Sequence, residues 1–178
     1  MKDTGKDFIR LTHYEHLTPS AQSQGAPAPE LEKHYTGSGP VIHLPKSTNA
    51  KMGTVLLENT LTGRRSIRRF SHAPLNIDEL SWLLWCTQGV QQIIPPSTIR
   101  TVPSAGARHP LDTYVLINRV KGLNSGLYRY VALEHAVAPV RIDSKIGSLL
   151  QDACLGQDMV ISAAVSFFWV ADVYRSAW

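Results

Sequence analysis

No stretch of this chain is long and apolar enough to span a bilayer. The longest run, Ala163 to Ala171, is interrupted by Ser166, whereas a hydrocarbon core takes about 20 residues to cross. Met1 to Arg10 mixes charges and has no apolar h-region, so no secretory leader and no membrane attachment are expected, and a cytoplasmic protein is. Cysteine is scarce, with only Cys86 and Cys154. Two thiols so far apart make neither a disulfide framework nor a CxxC zinc or redox site. Both sit in apolar helical patterns and are expected to be buried and reduced. The motifs GxSxG, GxGxxG, HExxH and GxxxxGK followed by Ser or Thr are all missing. Hydrolase elbows, Rossmann dinucleotide sites, zincins and P-loop nucleotidases lose support accordingly. No internal repeat is evident.

What is present suffices for one packed domain: 178 residues, 43% of them apolar. The net charge of +4 is too mild to select a partner. Residues 1–50 differ from the rest. Thr18 to Pro29 is rich in Pro, Ser, Ala and Gln, and Gly37-Ser38-Gly39-Pro40 follows. Such composition buries too little apolar surface to offset ordering entropy. It reads as a flexible arm with small anchors at Phe8-Ile9 and Val41-Ile42, leaving residues 51–178 as the folded portion.

Within that portion, Thr54 to Leu61 reads as a short helix with Val55, Leu57 or Leu61 turned inward and Gly63 ending it. Asn76-Ile77-Asp78-Glu79 has capping-box spacing, with Leu75 and Leu80 at the staple positions. The helix that follows is apolar nearly all round and stops near Gly89, the pattern of a buried or intersubunit helix. Gln91 to Pro103 reads as a loop around Pro95-Pro96. Leu111 to Asn118 alternates as a strand, Thr113, Val115 and Ile117 to one side and Tyr114 and Leu116 to the other. Gly126 to Val131 and Ala136 to Ile142 fit a hairpin around Leu133-Glu134-His135. Ser144 to Leu155 reads as a helix, and Val160 to Val170 as a fully buried strand. Helices and strands without regular βαβ alternation indicate an α+β fold. The abrupt stop after that last strand suggests a domain cut short.

The chemistry concentrates in two places. Arg64-Arg65-Ser66-Ile67-Arg68-Arg69-Phe70 offers forked, charge-assisted donors and a hydroxyl, which is what a phosphate dianion requires. Extended spacing would put Ser66 and Arg68 on one side and leave Ile67 as the anchor. A solvated basic turn is the plainer alternative. Pro103-Ser104-Ala105-Gly106-Ala107 allows backbone to approach a flat ring or a phosphate, or is an ordinary loop before a strand. Gln88-Gly89 reads first as a helix C-cap. His13 and His16 have metal-compatible spacing but no supporting carboxylate or cysteine cluster, so no metal site is expected. The scattered His34, His43, His72 and His135 read as structural or exposed.

Taken in order, the short helix, the Arg64–Phe70 turn, Pro74-Leu75-Asn76 with Glu79-Leu80, Leu83 to Gly89, Arg100 to Ala107 and Pro110 to Val115 resemble the nitroreductase family, and within it the SagB-type dehydrogenases. Gly126 to Tyr130 and Leu155-Gly156-Gln157-Asp158 are similar to later family motifs, and the likeness runs from about residue 53 to the end. The resemblance implies a nitroreductase-like α+β fold, an antiparallel or mixed central sheet flanked by helices, here incomplete at the C-terminus. It implies an intimate homodimer with FMN at the interface and hydride transfer through flavin N5. Arg64, Arg65, Ser66 and Arg68 match positions that hold the FMN phosphate and ribityl chain. Pro103, Ser104, Ala105 and Gly106 match a loop approaching the flavin, commonly from the partner subunit. Gln88 and Gly89 fall near the same interface.

Nitroreductase relatives take hydride from NAD(P)H and reduce small nitro or quinone compounds, while SagB-type relatives oxidise azolines in modified peptides. The sequence departs from the family in having His109 where relatives often carry Tyr, which implies a different substrate face, and Asp112 where Glu is common. It also stops where relatives continue with another long helix, a late strand and further basic flavin contacts. The catalytic side chains of azoline oxidases are expected beyond Trp178, and none is assigned here. The alternative is a catalytically incomplete fragment serving as an interaction module. A nucleic-acid-binding role is disfavoured, since the single Arg cluster lacks an accompanying pattern of exposed stacking aromatics.

Overall fold

A capped helix and a three-strand meander set the frame of the molecule. The computed structural model describes residues 3–37, 39–47 and 53–178. Ser38 and the expected boundary at residues 50 and 51 lie outside the described residues. In chain order the elements are α1 (Thr4–Leu11), β1 (Ile42–His43), α2 (Leu57–Gly63), α3 (Ile77–Gln88), β2 (Val90–Ile94), β3 (Ser97–Arg100), β4 (Leu111–Ile117), β5 (Gly126–Val131), β6 (Ala136–Arg141), α4 (Ile146–Ala153), α5 (Met159–Ser162), β7 (Val165–Ala171) and α6 (Val173–Ala177). The main sheet has the order β1-β6-β5-β4-β7, and every pairing in it is antiparallel.

Strand β4 shows why the sheet carries helices on both faces. Its alternation sends Val115 and Ile117 to one side, where they meet Leu80 and Leu84 of α3, Tyr128, Tyr130 and Val137. Leu116 points the other way, against Ile146, Leu150 and Val160 of α4 and α5 and Phe168 of β7. Both clusters are drawn from apolar positions that share a face at strand period two. Leu80 and Leu84 are fully buried, each contributing about 1.5–3 kcal/mol of burial free energy. The expected capping box is present: Asn76 N donates to Glu79 Oε2 at 2.7 Å, and Glu79 N donates to Asn76 Oδ1 at 2.8 Å. Leu75 packs beside Leu80 in the core, and its backbone bonds to Arg119 and Lys121 fix where α3 enters the fold.

Several sequence expectations need correction. Gln91 to Pro103 is not a loop. Val90, Ile93, Ile94, Thr98 and Ile99 build the β2–β3 hairpin, because β-branched residues satisfy their backbone groups by pairing and Pro95-Pro96 marks only the turn. The run from Val160 is not one buried strand either. Met159–Ser162 is helical, and β7 lies at a sheet edge with Trp169 and Val170 half exposed. A continuous apolar run does not distinguish a central strand from an edge strand. Helix α2 starts later than expected and buries no side chain, so Val55, Leu57 and Leu61 do not turn inward. Phe8 and Ile9 are exposed, whereas Ile42 packs on the core. Cys86 is exposed and Cys154 only half-buried. Among the described residues no helix is long and apolar enough to cross a membrane.

His135 is structural, and its surroundings fix its protonation. It lies in the β5–β6 turn at φ 48°. Its Nε2 lies 3.1 Å from Pro45 O and 2.7 Å from Ser81 Oγ, while Nδ1 lies 2.8 Å from the Tyr130 hydroxyl. A carbonyl can only accept, so Nε2 carries the ring proton and Nδ1 accepts from Tyr130. Burial pushes the imidazole below its ordinary value, partly offset by the bond to Pro45 O. A second proton would face the Tyr130 hydroxyl and displace its donated bond. The folded state therefore binds that proton more weakly than the unfolded chain does. Stability should be full above about pH 6.5 and fall as pH drops below it. Urea titrations across this range should show that fall in the parent chain and a shallower one in His135→Gln. Equal slopes would remove His135 from the account.

Candidate cofactor-binding site

The arginine-rich turn begins where α2 ends. Arg64 N closes the helix on Thr60 O at 3.0 Å. Arg65 folds back, donating through Nη1 to Thr62 O at 3.0 Å and Arg64 O at 2.8 Å, a favourable use of a cation at a helix C-terminus. From Arg64 to Phe70 the backbone has no regular structure and every residue is exposed. Ile67 is 70% exposed, so it does not anchor the segment. Phe70 is 43% exposed and lines an apolar cavity of about 560 Å³ with Cys154, Leu155, Met159 and Phe168. On the far side of the turn, Arg119 Nη2 donates to Ser71 O at 3.3 Å and to Ser162 O at 2.6 Å. That guanidinium ties the exit of the turn to the end of α5.

Ser66 and Arg68 reach an open groove of about 910 Å³, whose other walls are Ile67, Gln157, Asp158 and Met159. Gln157 and Met159 also line the apolar cavity, so a polar groove and an apolar recess meet at these two residues. Asp158 opposes an anion on this wall, and its Oδ1 accepts from the neutral amide of Gln151 through Nε2 at 3.0 Å. Sequence reasoning noted Leu155-Gly156-Gln157-Asp158 as a motif without giving it a place in the site. Nothing in its local pattern signals that it faces the turn.

The second segment lies elsewhere. Pro103 and Ser104 line a cavity of about 370 Å³ with Arg100, Ala107 and His109. Ser104 Oγ accepts from His109 N at 2.8 Å, and residues 105–107 form a tight turn with non-helical dihedrals at Gly106. Gly106 (φ 60°), Ala107 (φ 53°) and His109 (φ 45°) are all left-handed, a conformation costing about 1–2 kcal/mol for each non-glycine residue. Thr101 binds this segment to the end of α3: its N donates to Gly89 O at 2.9 Å and its Oγ1 to Trp85 O at 2.7 Å. Gln88 is buried there, its Oε1 lying 3.5 Å from Arg100 Nη1. Thus Gln88 meets Arg100 and Gly89 meets Thr101, just ahead of the Pro103–Gly106 loop, whereas Ser66 and Arg68 line a different groove. Ala105 and Gly106 line neither cavity.

His109, expected to alter the substrate face, lines the cavity of about 370 Å³ beside Pro103 and Ser104. It is buried, with Nε2 donating to Thr98 O at 3.2 Å. Burial, and next the nearby Arg100 charge, push its pKa down, so it is neutral at physiological pH. Sequence reasoning also missed the buried charge cluster beneath this loop. Asp112 accepts from Arg175 Nη1 at 3.3 Å and lies 3.9 Å from Arg129. Arg175 further pairs with Asp172 at 3.6 Å and donates to His109 O at 3.1 Å. An arginine inside the apolar strand Gly126–Val131 was the one legible signal.

The nitroreductase family model matches residues 61–178. The chain belongs to the nitroreductase family. A candidate nitroreductase of Methanocaldococcus jannaschii is 34% identical over 122 residues, which is 68% of this chain and 60% of that protein. The trifolitoxin-processing protein TfxB of Rhizobium leguminosarum bv. trifolii is 36% identical over 55 residues, 30% of this chain and 15% of its own length. Among solved structures, a candidate nitroreductase from Ralstonia eutropha superposes with TM-score 0.57 at 28% identity, over 84% of this chain and 66% of its own. Another, from Anabaena variabilis, gives TM-score 0.66 at 23% identity, over 97% of this chain and 32% of its own. The chain therefore spans 60% of the first relative and about a third of the Anabaena structure. These likenesses bear out the α+β nitroreductase-like fold.

Removing one member of a buried ion pair leaves the other uncompensated, at a cost of about 3–5 kcal/mol. Asp112→Asn should destabilise the chain by roughly that amount, read as a lower urea midpoint at unchanged m value. A change under about 1 kcal/mol would mean that the cluster does not depend on this carboxylate.

Proposed function

We propose that this nitroreductase-family chain contributes one wall of an FMN site in a flavin-dependent oxidoreductase. The observation that carries the reading is the position of Ser66 and Arg68 on the groove that adjoins the Phe70 recess. Phosphate needs convergent donors, and these side chains can turn toward one without breaking any bond of the fold. Arg65 braces the turn on α2, and Arg119 braces its exit. Arg64, exposed at the head of the turn, adds long-range attraction for a dianion. The groove falls within the roughly 300–1,000 Å³ typical of cofactor sites, so the residues present fit the phosphate end of the cofactor. When bound, FMN supplies two-electron hydride chemistry, while the chain positions it and limits solvent access.

A homodimer explains why the turn and the Pro103–Gly106 loop serve different cavities. In this reading each copy offers its turn to one FMN and its loop to the other. Supporting it, Leu56, Leu57 and Leu61 around α2 and Ile93, Ile94 and Ile99 of the β2–β3 hairpin are exposed, an apolar surface of the kind that marks contacts between chains. NAD(P)H is the proposed electron donor for a small-molecule acceptor. The similarity to TfxB, whose name records trifolitoxin processing, supports a second reading in which a modified peptide is oxidised in a SagB-like way and gives hydride to the flavin in place of NAD(P)H.

Purified protein titrated with FMN should take up the flavin and show its visible absorbance. Each charged hydrogen bond to phosphate is worth about 1.5–3 kcal/mol, so Arg68→Ala should weaken FMN binding roughly ten- to a hundredfold. Correctly folded protein that takes up no FMN at any concentration would overturn the reading and leave the interaction module as the account of this chain.

A further inference from the structure

The segment from Ala26 to Tyr35 runs over the buried arginines and is bonded to them through its own backbone. Arg100 Nη2 donates to Leu31 O at 3.3 Å, Arg129 Nη2 to Lys33 O at 2.7 Å and Arg129 Nη1 to His34 O at 3.4 Å. In return, the Glu32 carboxylate accepts from Ala132 N at 2.8 Å and Leu133 N at 3.0 Å, at the tip of the β5–β6 hairpin. Glu32 is itself buried, and Tyr35 Oη donates to Pro139 O at 2.7 Å. A buried carboxylate receiving two backbone N–H groups is a strong fastening, because both its charge and the amides would otherwise be left without partners.

Two routes lead from this segment to the loop before β4. The first runs from Leu31 O through Arg100, whose Nε donates to Thr98 Oγ1 at 3.1 Å, then from Thr98 O to His109 Nε2, and from His109 N to Ser104 Oγ. The second runs from Ala26 O to Trp178 Nε1 at 2.8 Å, and on to Arg108, whose guanidinium lies 4.3 Å from the centre of the Trp178 ring. The first reaches the loop at His109, the last of its left-handed residues, and the second at Arg108, between Ala107 and His109. A loop that holds Ala107 and His109 at positive φ does not keep that shape by local preference. Something outside the loop has to over-determine it.

We propose that Ala26–Tyr35 is a strap, with Glu32 and Arg100 as its positioning residues, that fixes the shape of the Pro103–His109 loop. The loop's approach to flavin rests on the reading above, whereas the strap rests on this network alone. It assigns to the segment before the family match a part in the site.

Hydrogen exchange on the 178-residue chain tests it without flavin. The amides of Ala107 and His109 are the reporters, since they donate to Ser104 O and Ser104 Oγ. Glu32→Ala should speed their exchange by about tenfold while Val115 and Leu116 in β4 stay protected. Glu32→Gln keeps an acceptor oxygen and should recover part of the protection. Trp178→Phe, which keeps an aromatic ring over Arg108 but loses the donor to Ala26, serves if Glu32→Ala does not fold, and should loosen Ala107 by a smaller factor. Unchanged exchange at Ala107 and His109 in the folded variants, with the strap itself opened, would overturn the proposal. Failure of the parent chain to take up FMN would overturn the cofactor reading and leave the strap standing.

Discussion

Asp112 faces the guanidinium groups of Arg175 and Arg129 in a site from which water is nearly excluded. A carboxylate so placed is viable only with its cations, and the cations only with it. The consequence is organisational as much as energetic. Arg175 belongs to α6, Arg129 to β5 and Asp112 to β4, so satisfying one charge fixes three elements at once. The same guanidiniums also donate to backbone carbonyls of His109 and of residues 33 and 34, while Arg129 Nε and Arg175 Nη2 are buried with no partner among the described residues. Polar satisfaction thus spreads from one buried carboxylate into the loop before β4 and into the N-terminal segment.

The two proposed contributions to a cofactor site differ in how they are held. The loop from Pro103 to His109 is determined from many sides and keeps an unfavourable backbone shape. The arginine turn is braced only at its ends, by Arg65 and Arg119, and its central side chains are exposed. A rigid wall set against an adaptable clamp suits recognition of a planar ring by one surface and a charged tail by another.

Much of this was readable in the sequence, and what was not has identifiable reasons. The capping box at Asn76, the alternation of β4 and the β5–β6 hairpin depend on local rules, and each was found where the residues predicted it. Cys86, Trp169 and the residues of α2 were misjudged because burial is a property of neighbours, not of a residue's own apolarity. Gln91 to Pro103 was misread because Pro95-Pro96 overshadowed the β-branched residues on either side. For the candidate site, the turn and the loop could be named from residue types. The groove partners Gln157 and Asp158, the buried role of Glu32 and the bonds from Arg100 to Leu31 O and from Arg175 to His109 O arise from contacts many tens of residues apart. No window of sequence displays them.

Strand β7 pairs with β4 along one side and with no other described strand. Its seven residues, Val165 to Ala171, include no lysine, glutamate or proline, the residues that ordinarily discourage a free edge from templating another chain. Trp169 and Val170, on opposite faces of the strand, are apolar and half exposed. This edge therefore presents unpaired backbone donors and acceptors to any extended segment that meets it. A neighbour pairing along β7 would satisfy those groups and cover Trp169 or Val170 in the same step.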